Sequence, residues 1–332
     1  MDLNVMMVGF TSAGKTSYMG AMYRLFNTGK LRGGFWRDFF SSGTGSFLGF
    51  AIEAQDMDSH KSLLKIGEKV SRGKYPDPTD VRDEYLFDLK YNCAPILKFN
   101  WEDYRGGVLS ERGNEEMRSV VNKIIKADAL IVFLDVTRFG SDDSTIEMIN
   151  GVSTLLQNSL ARRERPLVVS IVLTKADNVR CFDIIKKTTP WKKLSMLENL
   201  LSKNGKVSGM TCMTAVGKKF ENVEYPFLHS MSMGVLLKIK QLERERDTAM
   251  REAERLKNEG GFWDDFVTAL KNEWDDGNRK SKRDLAKEER TKAERVLAEI
   301  NRLENPLNEI RKLVENASKS AKLYVKVFSR TK

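Results

Sequence analysis

Short apolar runs alternate with amphipathic stretches up to about residue 230, after which a heptad-like pattern takes over. Val5-Met6-Met7-Val8 reads as a short buried strand, and Met19, Met22 and Phe26 then keep helical spacing. Glu84–Tyr91 and the run from Ile96 to Asp103 flank Asn92-Cys93-Ala94-Pro95, which predicts an antiparallel hairpin over 84–103 that adds an edge strand. Ala127 to Val136, broken by Asp128 and Asp135, is too short and too charged to span a bilayer and reads as a sheet strand. Leu167–Leu173 is a β-branched apolar run of the kind found in central parallel strands, and Met210–Met213 reads as one more strand. Strands and helices in alternation predict an α/β domain with a mostly parallel sheet.

Two regions depart from this alternation. Residues 33–50 are rich in glycine and aromatics and are expected to form a loop, folded back on the domain or open to a partner or membrane. Gln55–Arg72, with Leu63, Leu64, Ile66 and Val70, predicts one amphipathic helix. Further on, Val235, Ile239, Leu242, Arg246, Ala249, Ala253 and Leu256 form one stripe, and Val296, Ile300, Leu303, Leu307, Ile310, Val314 and Ala317 form a second. Gly260-Gly261 ends the first helix, aromatic residues 262–274 suggest a short helix, and Asn305-Pro306 predicts a fresh helix start. The stripes predict a coiled-coil-like hairpin that packs on itself or on another chain. The basic and apolar tail Lys319–Lys332 is expected to fray.

The candidate chemistry lies at the ends of the predicted strands. Gly9-Phe10-Thr11-Ser12-Ala13-Gly14-Lys15-Thr16 satisfies G-x-x-x-x-G-K-[ST] between a strand and a helix. Glycines let the backbone curl so that N–H groups meet phosphate oxygens, aided by the helix N-terminus. Lys15 is expected on the β- and γ-phosphates, the Thr16 hydroxyl on Mg²⁺, and Ser17 beside them. Asp103, at the end of a strand, can reach Mg²⁺ through water, and Gly106 can offer its N–H to a γ-phosphate. Thr174-Lys175-Ala176-Asp177 ends the central strand. There Asp177 can accept two hydrogen bonds from guanine, and the Lys175 stem can lie over the base. Thr214-Ala215-Val216 follows the next strand and can present an N–H to the guanine O6.

In order and spacing these segments resemble the TRAFAC-class, Ras-like GTPases over about residues 1–230, and within them the bacterial double-GTPase group, where a long insertion also precedes a P-x-T segment. The resemblance implies a Ras-like P-loop GTPase domain (1–230, insertion 30–78) followed by an α-helical region (231–332). It also implies GTP/GDP and Mg²⁺ as cofactors. Thr79, in Tyr75-Pro76-Asp77-Pro78-Thr79-Asp80, takes the place of the Mg²⁺-sensing threonine of the first switch. Gly107 stands where many members carry a water-orienting glutamine, so the implied enzyme is a slow GTPase, or one completed by Glu102, Arg105, an arginine of the insertion or a second subunit. Thr11 in place of glycine narrows the approach for an arginine finger. A regulatory part in a bacterial defence assembly follows from the resemblance alone.

Composition narrows the classes. Three cysteines, far apart and without a C-x-x-C, fit reduced thiols in the cytoplasm, and the N-terminus lacks a basic leader. Two histidines argue against a zinc site or a histidine-based triad. A net charge of +10 is interleaved with acidic residues along the chain, which argues against a dedicated nucleic-acid surface. Expected partners are proteins met through the helical region, a second copy included, with peripheral membrane contact as a lesser route. Three other readings stay open: a nucleotide-locked scaffold without turnover, an ATP-using P-loop enzyme, and a membrane-associated GTPase.

Overall fold

The computed structural model describes residues 3–28, 48–76, 83–103, 114–140, 142–179, 181–217, 220–259, 280–320 and 323–329. The chain divides into two compact units, Met1–Gly234 with Ile310–Lys332, and Val235–Glu309.

The first unit is built on an eight-stranded sheet. Its strands are β1 (Leu3–Gly9), β2 (Phe50–Ala54), β3 (Asp83–Tyr91), β4 (Ala94–Asp103), β5 (Ala129–Asp135), β6 (Leu167–Thr174), β7 (Val207–Met213) and, after a small β8 (Ala215–Val216) and β9 (Phe220–Glu221) ribbon, β10 (Val325–Ser329). The order is β10-β7-β6-β5-β1-β4-β3-β2. The five central strands run parallel, and β10, β3 and β2 are antiparallel to their neighbours. Every residue of β5 and β6 is buried, because helices cover both faces of a parallel sheet. On one face α3 (Asn114–Lys126), α4 (Asp142–Arg162) and α6 (Thr189–Lys203) close a core around Ile124, Leu156, Leu194, Leu134 and Ile171. On the other, α1 (Lys15–Thr28) and the first turns of α7 (Glu224–Glu259) meet the aromatics of β3 and β4. Phe227 stacks on Trp101 with ring centroids 5.7 Å apart and meets Phe26 edge-on at 4.9 Å. The short α5 spans Phe182–Ile185. The fold class is the expected one in its architecture: an α/β domain with a mostly parallel sheet, followed by a helical C-terminal region.

Three local expectations are corrected. The 84–103 hairpin forms, turning through Asn92 and Cys93 at φ 47° and 65°, the pair of left-handed residues that a tight hairpin turn needs. It is not the edge, however. Phe50 and Ile52 are fully buried, and Phe50–Ala54 pairs outside β3, so the insertion supplies the outermost strand. That strand begins at the last residue of the glycine-aromatic stretch, of which 33–47 lie outside the described residues. Next, Val325–Ser329 of the tail is a strand rather than a frayed end, residues 330–332 lying outside the described residues. Val325–Ser329 pairs with β7, whose outer N–H and C=O groups would otherwise form an open edge, and Phe328 lies over Gly209, where no side chain competes. Finally, α8 (Lys282–Ser320) runs through Pro306 without restarting. Leu303 and Leu307 are buried on either side of it, so packing outweighs the lost N–H. The amphipathic helix appears as α2 (Met57–Ser71), with Asp56 accepting from the Ser59 N–H as its N-cap.

In the second unit the two stripes are buried within the chain itself: Val235, Ile239, Leu242, Ala249, Ala253 and Leu256 on α7, and Ile300, Leu303 and Leu307 on α8. Lys238 pairs with Glu299 at 3.0 Å and Lys282 with Glu259 at 3.6 Å, so the two helices run antiparallel as a hairpin. The aromatic segment 262–274 lies outside the described residues. No helix of the described residues is long and apolar enough to cross a membrane.

Candidate functional site

The chain crosses from one side of β1 to the other between β4 and β5, and ligands of such sheets sit beyond the carboxyl ends of the strands at that switch point. Three of the flagged segments meet there, with the end of β5 between them. The phosphate loop leaves β1, Asp103 ends β4, Asp135 ends β5 and Thr174 ends β6.

The loop's shape follows from its residues. A Cβ on Gly9 would lie 2.8 Å from the Phe133 Cβ, so only glycine lets β1 pass β5 here. Gly14 turns at φ 85° and Ser12 at φ 63°, and the Ala13 N–H donates to the Phe10 carbonyl at 3.1 Å. α1 opens at Lys15, so the N–H groups of its first turn lie at the loop's end. Lys15 folds back over it. Its Nζ donates to the Gly9 carbonyl at 3.2 Å and stands 4.0 Å from Asp103 Oδ1. Burial pushes this ammonium below its ordinary range, and the Asp103 charge opposes that shift. The Thr16 hydroxyl donates to Asp103 Oδ2 at 3.4 Å, and Ser17 is buried one residue on. A hydroxyl and a carboxylate that converge in this way are the hard oxygen donors that Mg²⁺ prefers. Thr79, Gly106, Gly107 and Arg105 lie outside the described residues. Glu102 projects from the opposite face of β4 to Asp103 and is paired with Lys123 of α3.

Around Thr174-Lys175-Ala176-Asp177 the side chains take several partners. The Thr174 hydroxyl donates to the Ala13 carbonyl at 2.8 Å and lies 3.3 Å from that of Leu134. Lys175, at φ 59°, places Nζ 2.6 Å from Asp135 Oδ2. Asp135 also accepts from the Thr137 N–H and hydroxyl, so its carboxylate fixes the base of the lysine's arc. Asp177 is exposed at the mouth. Its Oδ2 would lie 2.6 Å from a Cβ on Gly217, and the Tyr75 hydroxyl would be 3.3 Å from the same point. Partial burial and the Asp177 charge together raise the Tyr75 hydroxyl above its ordinary range. Thr214 joins the layers: its N–H donates to the Leu173 carbonyl at 2.8 Å, and its carbonyl accepts from the Ala176 N–H at 3.1 Å. Ala215 and Val216 form β8, paired to Glu221 and Phe220.

Sequence reading missed Asp135, Gly217 and Tyr75. Asp135 carried the same signal as Asp103, a carboxylate ending a parallel strand, but it had been read as a break in an apolar run. Gly217 and Tyr75 carry no local signal, because their role exists only through their approach to Asp177.

A glycine-rich loop that caps β1 at a switch point, with carboxylates ending the strands beside it, is the arrangement the α/β fold presents here. No family model matches the chain, and no curated protein matches it. Among solved structures it is similar to the signal recognition particle receptor SRβ-GTP/SRX complex of Chaetomium thermophilum, at 13% identity over 65% of this chain and 91% of that one, with a TM-score of 0.34. It is also similar to a GTP-binding protein of the archaeon Sulfolobus solfataricus in complex with GDP, at 16% identity over 71% of this chain and 53% of that one, with a TM-score of 0.36. A GDP-bound NFeoB mutant of S. thermophilus matches over 97% of this chain and 100% of that one at 13% identity and a TM-score of 0.32.

Proposed function

We propose that the protein is a guanine-nucleotide-binding switch that uses Mg²⁺ and turns GTP over slowly. The observation that carries this reading is the meeting, at one end of the sheet, of Lys15 and Thr16 with Asp103 on the phosphate side and of Asp177 with Gly217 on the base side. The loop's N–H groups and the Lys15 ammonium supply positive charge where phosphates would lie. Thr16 and Asp103 would hold Mg²⁺, which when bound neutralises charge on the phosphate oxygens. Asp177 offers two acceptor oxygens, which match the ring N–H and amine of guanine and leave adenine unpaired. Glu102 is engaged by Lys123, so it does not replace the missing glutamine from its own strand, which supports slow turnover or completion in trans. The helical hairpin is the element that would carry nucleotide state to a protein partner or a second copy. The part in a bacterial defence assembly rests on the sequence resemblance alone.

The test is affinity for GTP, ATP and XTP with Mg²⁺, on the wild type and on Asp177→Asn, with phosphate release followed in the same samples. A wild type that prefers GTP and a variant that moves toward XTP support the reading. Equal binding of ATP and GTP, unaltered in Asp177→Asn, would sink it.

A further inference from the structure

The segments that flank both ends of the helical region are tied to one residue at the root of the base-side loop. α7 begins two residues after Asn222, and α8 ends three residues before Leu323. Between them lies Met213, the last residue of β7 before the Thr214–Gly217 loop. Its N–H donates to the Tyr324 carbonyl at 2.8 Å, and its C=O accepts from Asn222 Nδ2 at 3.0 Å. The same Nδ2 reaches the Leu323 carbonyl at 3.3 Å. Asn222 is 6% exposed and turns at φ 58°, a conformation that asparagine tolerates better than most residues. Both backbone polar groups of Met213 are thus held by residues that belong to the start and the return of the helices.

From Met213 the bonding continues to the base side. Thr214 is tied to Leu173 and Ala176, and Ala176 adjoins Asp177. A second set of contacts reaches the same place. The Tyr324 ring packs on Trp191 at 5.2 Å and on Phe182 at 5.5 Å, and Phe182 lies in the segment that follows Asp177. Lys326 of β10 pairs at 2.6 Å with Glu198, which is nearly fully buried.

We propose that Asn222 is a positioning residue for the base-side loop and that β10 is the clamp it closes, so that docking of the C-terminal strand and retention of guanine nucleotide are coupled. This rests on the reading of Asp177 as the guanine acceptor. When β10 leaves β7, Met213 loses its N–H acceptor and Asn222 loses one of its two carbonyls, and the loop opposite Asp177 is freed. Coupling is reciprocal, so bound nucleotide must hold β10 in place by the same factor by which β10 slows nucleotide release.

The experiment uses the full chain. Asn222→Gly keeps the left-handed backbone and removes both side-chain bonds, and Tyr324→Ala removes the ring packed on Trp191 and Phe182. Release of a fluorescent GDP analogue is expected to be about tenfold faster in each, the equivalent of one or two hydrogen bonds. In the wild type, MgGDP is expected to slow hydrogen exchange at the Met213 amide and across Val325–Ser329. Unchanged release in both variants, with Asp177→Asn still moving preference toward XTP, would overturn the clamp and leave the base site standing. An Asp177→Asn chain with unaltered preference removes the base site, and the clamp with it. Should either variant fail to fold, exchange in wild-type β10 that ignores MgGDP overturns the proposal by itself.

Discussion

The Thr174 hydroxyl donates to the Ala13 carbonyl across 2.8 Å, so the base-side strand end holds the phosphate loop in shape. These residues lie far apart in the chain, and the bond is buried. Thr174→Val keeps the shape of the side chain and leaves the Ala13 carbonyl without this donor. A cost of about 1–3 kcal/mol is expected, the usual result of orphaning a buried acceptor. Denaturant unfolding measures that cost, and nucleotide affinity in the same protein should fall with it. Full stability in Thr174→Val would show that the loop keeps its shape without β6.

Arg163 is a second buried anchor. Its guanidinium donates to the carbonyls of Ile124 and Ile125, at the end of α3, and to those of Arg165 and Pro166. Arg163→Met fills the space but leaves the four carbonyls without this donor, at about 1–3 kcal/mol for each acceptor that stays buried and unmet. Arg163→Lys should recover little, because an ammonium cannot reproduce the planar fork. The denaturation midpoints of the two variants decide the matter.

Stability against pH should show two opposed contributions. His229 is buried between the Ser170 and Ser208 hydroxyls, and burial holds its pKa down to about 4 from 6.5. Between those values the unfolded chain takes up a proton that the folded chain refuses, so this site destabilises as pH falls, by about 3 kcal/mol in all. Glu224, facing Tyr18 and Cys212 at the start of α7, is pushed by burial from 4.5 up to about 7. Here the folded chain keeps a proton that the unfolded chain has released, so this site stabilises as pH falls from about 7 to 4.5. Glu224→Gln should steepen the loss of stability between pH 6.5 and 4.5, and His229→Gln should reverse it. Melting temperatures across that range test both signs.

Gly67 and Gly20 bring α2 against α1. A Cβ on Gly67 would lie 2.3 Å from the Gly20 carbonyl oxygen, a backbone atom that cannot swing aside. Gly67→Ala gains about 1 kcal/mol in helix propensity but forces the helices apart, at a cost of about 1–3 kcal/mol. A net fall in melting temperature is expected. A rise would show that α2 repacks freely on α1.

What could be read directly from the chain was whatever a few contiguous residues determine. The turn from Gly9 into the helix that opens at Lys15 was legible because glycine spacing, one lysine and one threonine between a strand and a helix suffice to build it. The buried parallel strands were legible because a sheet covered on both faces tolerates little but β-branched and other apolar residues, as in Leu167–Leu173. The heptad stripes were legible for the same kind of reason, since a repeated spacing lines up one face of a helix.

Tertiary structure decided the partners. Lys175 is committed to Asp135 rather than left loose, Thr174 serves the phosphate loop, and Glu102 is taken by Lys123. Neither the β2 edge nor β10 could be told from a loop or a frayed end, because a strand of five residues gains its stability from the strand beside it rather than from its own sequence. Pro306 could not be placed inside a helix, because its local cost is offset only by the burial of Leu303 and Leu307 on either side of it, which the local sequence does not reveal. Local chemistry follows from neighbours in sequence. Pairing and burial follow from neighbours in space, and these exist only once the sheet is assembled.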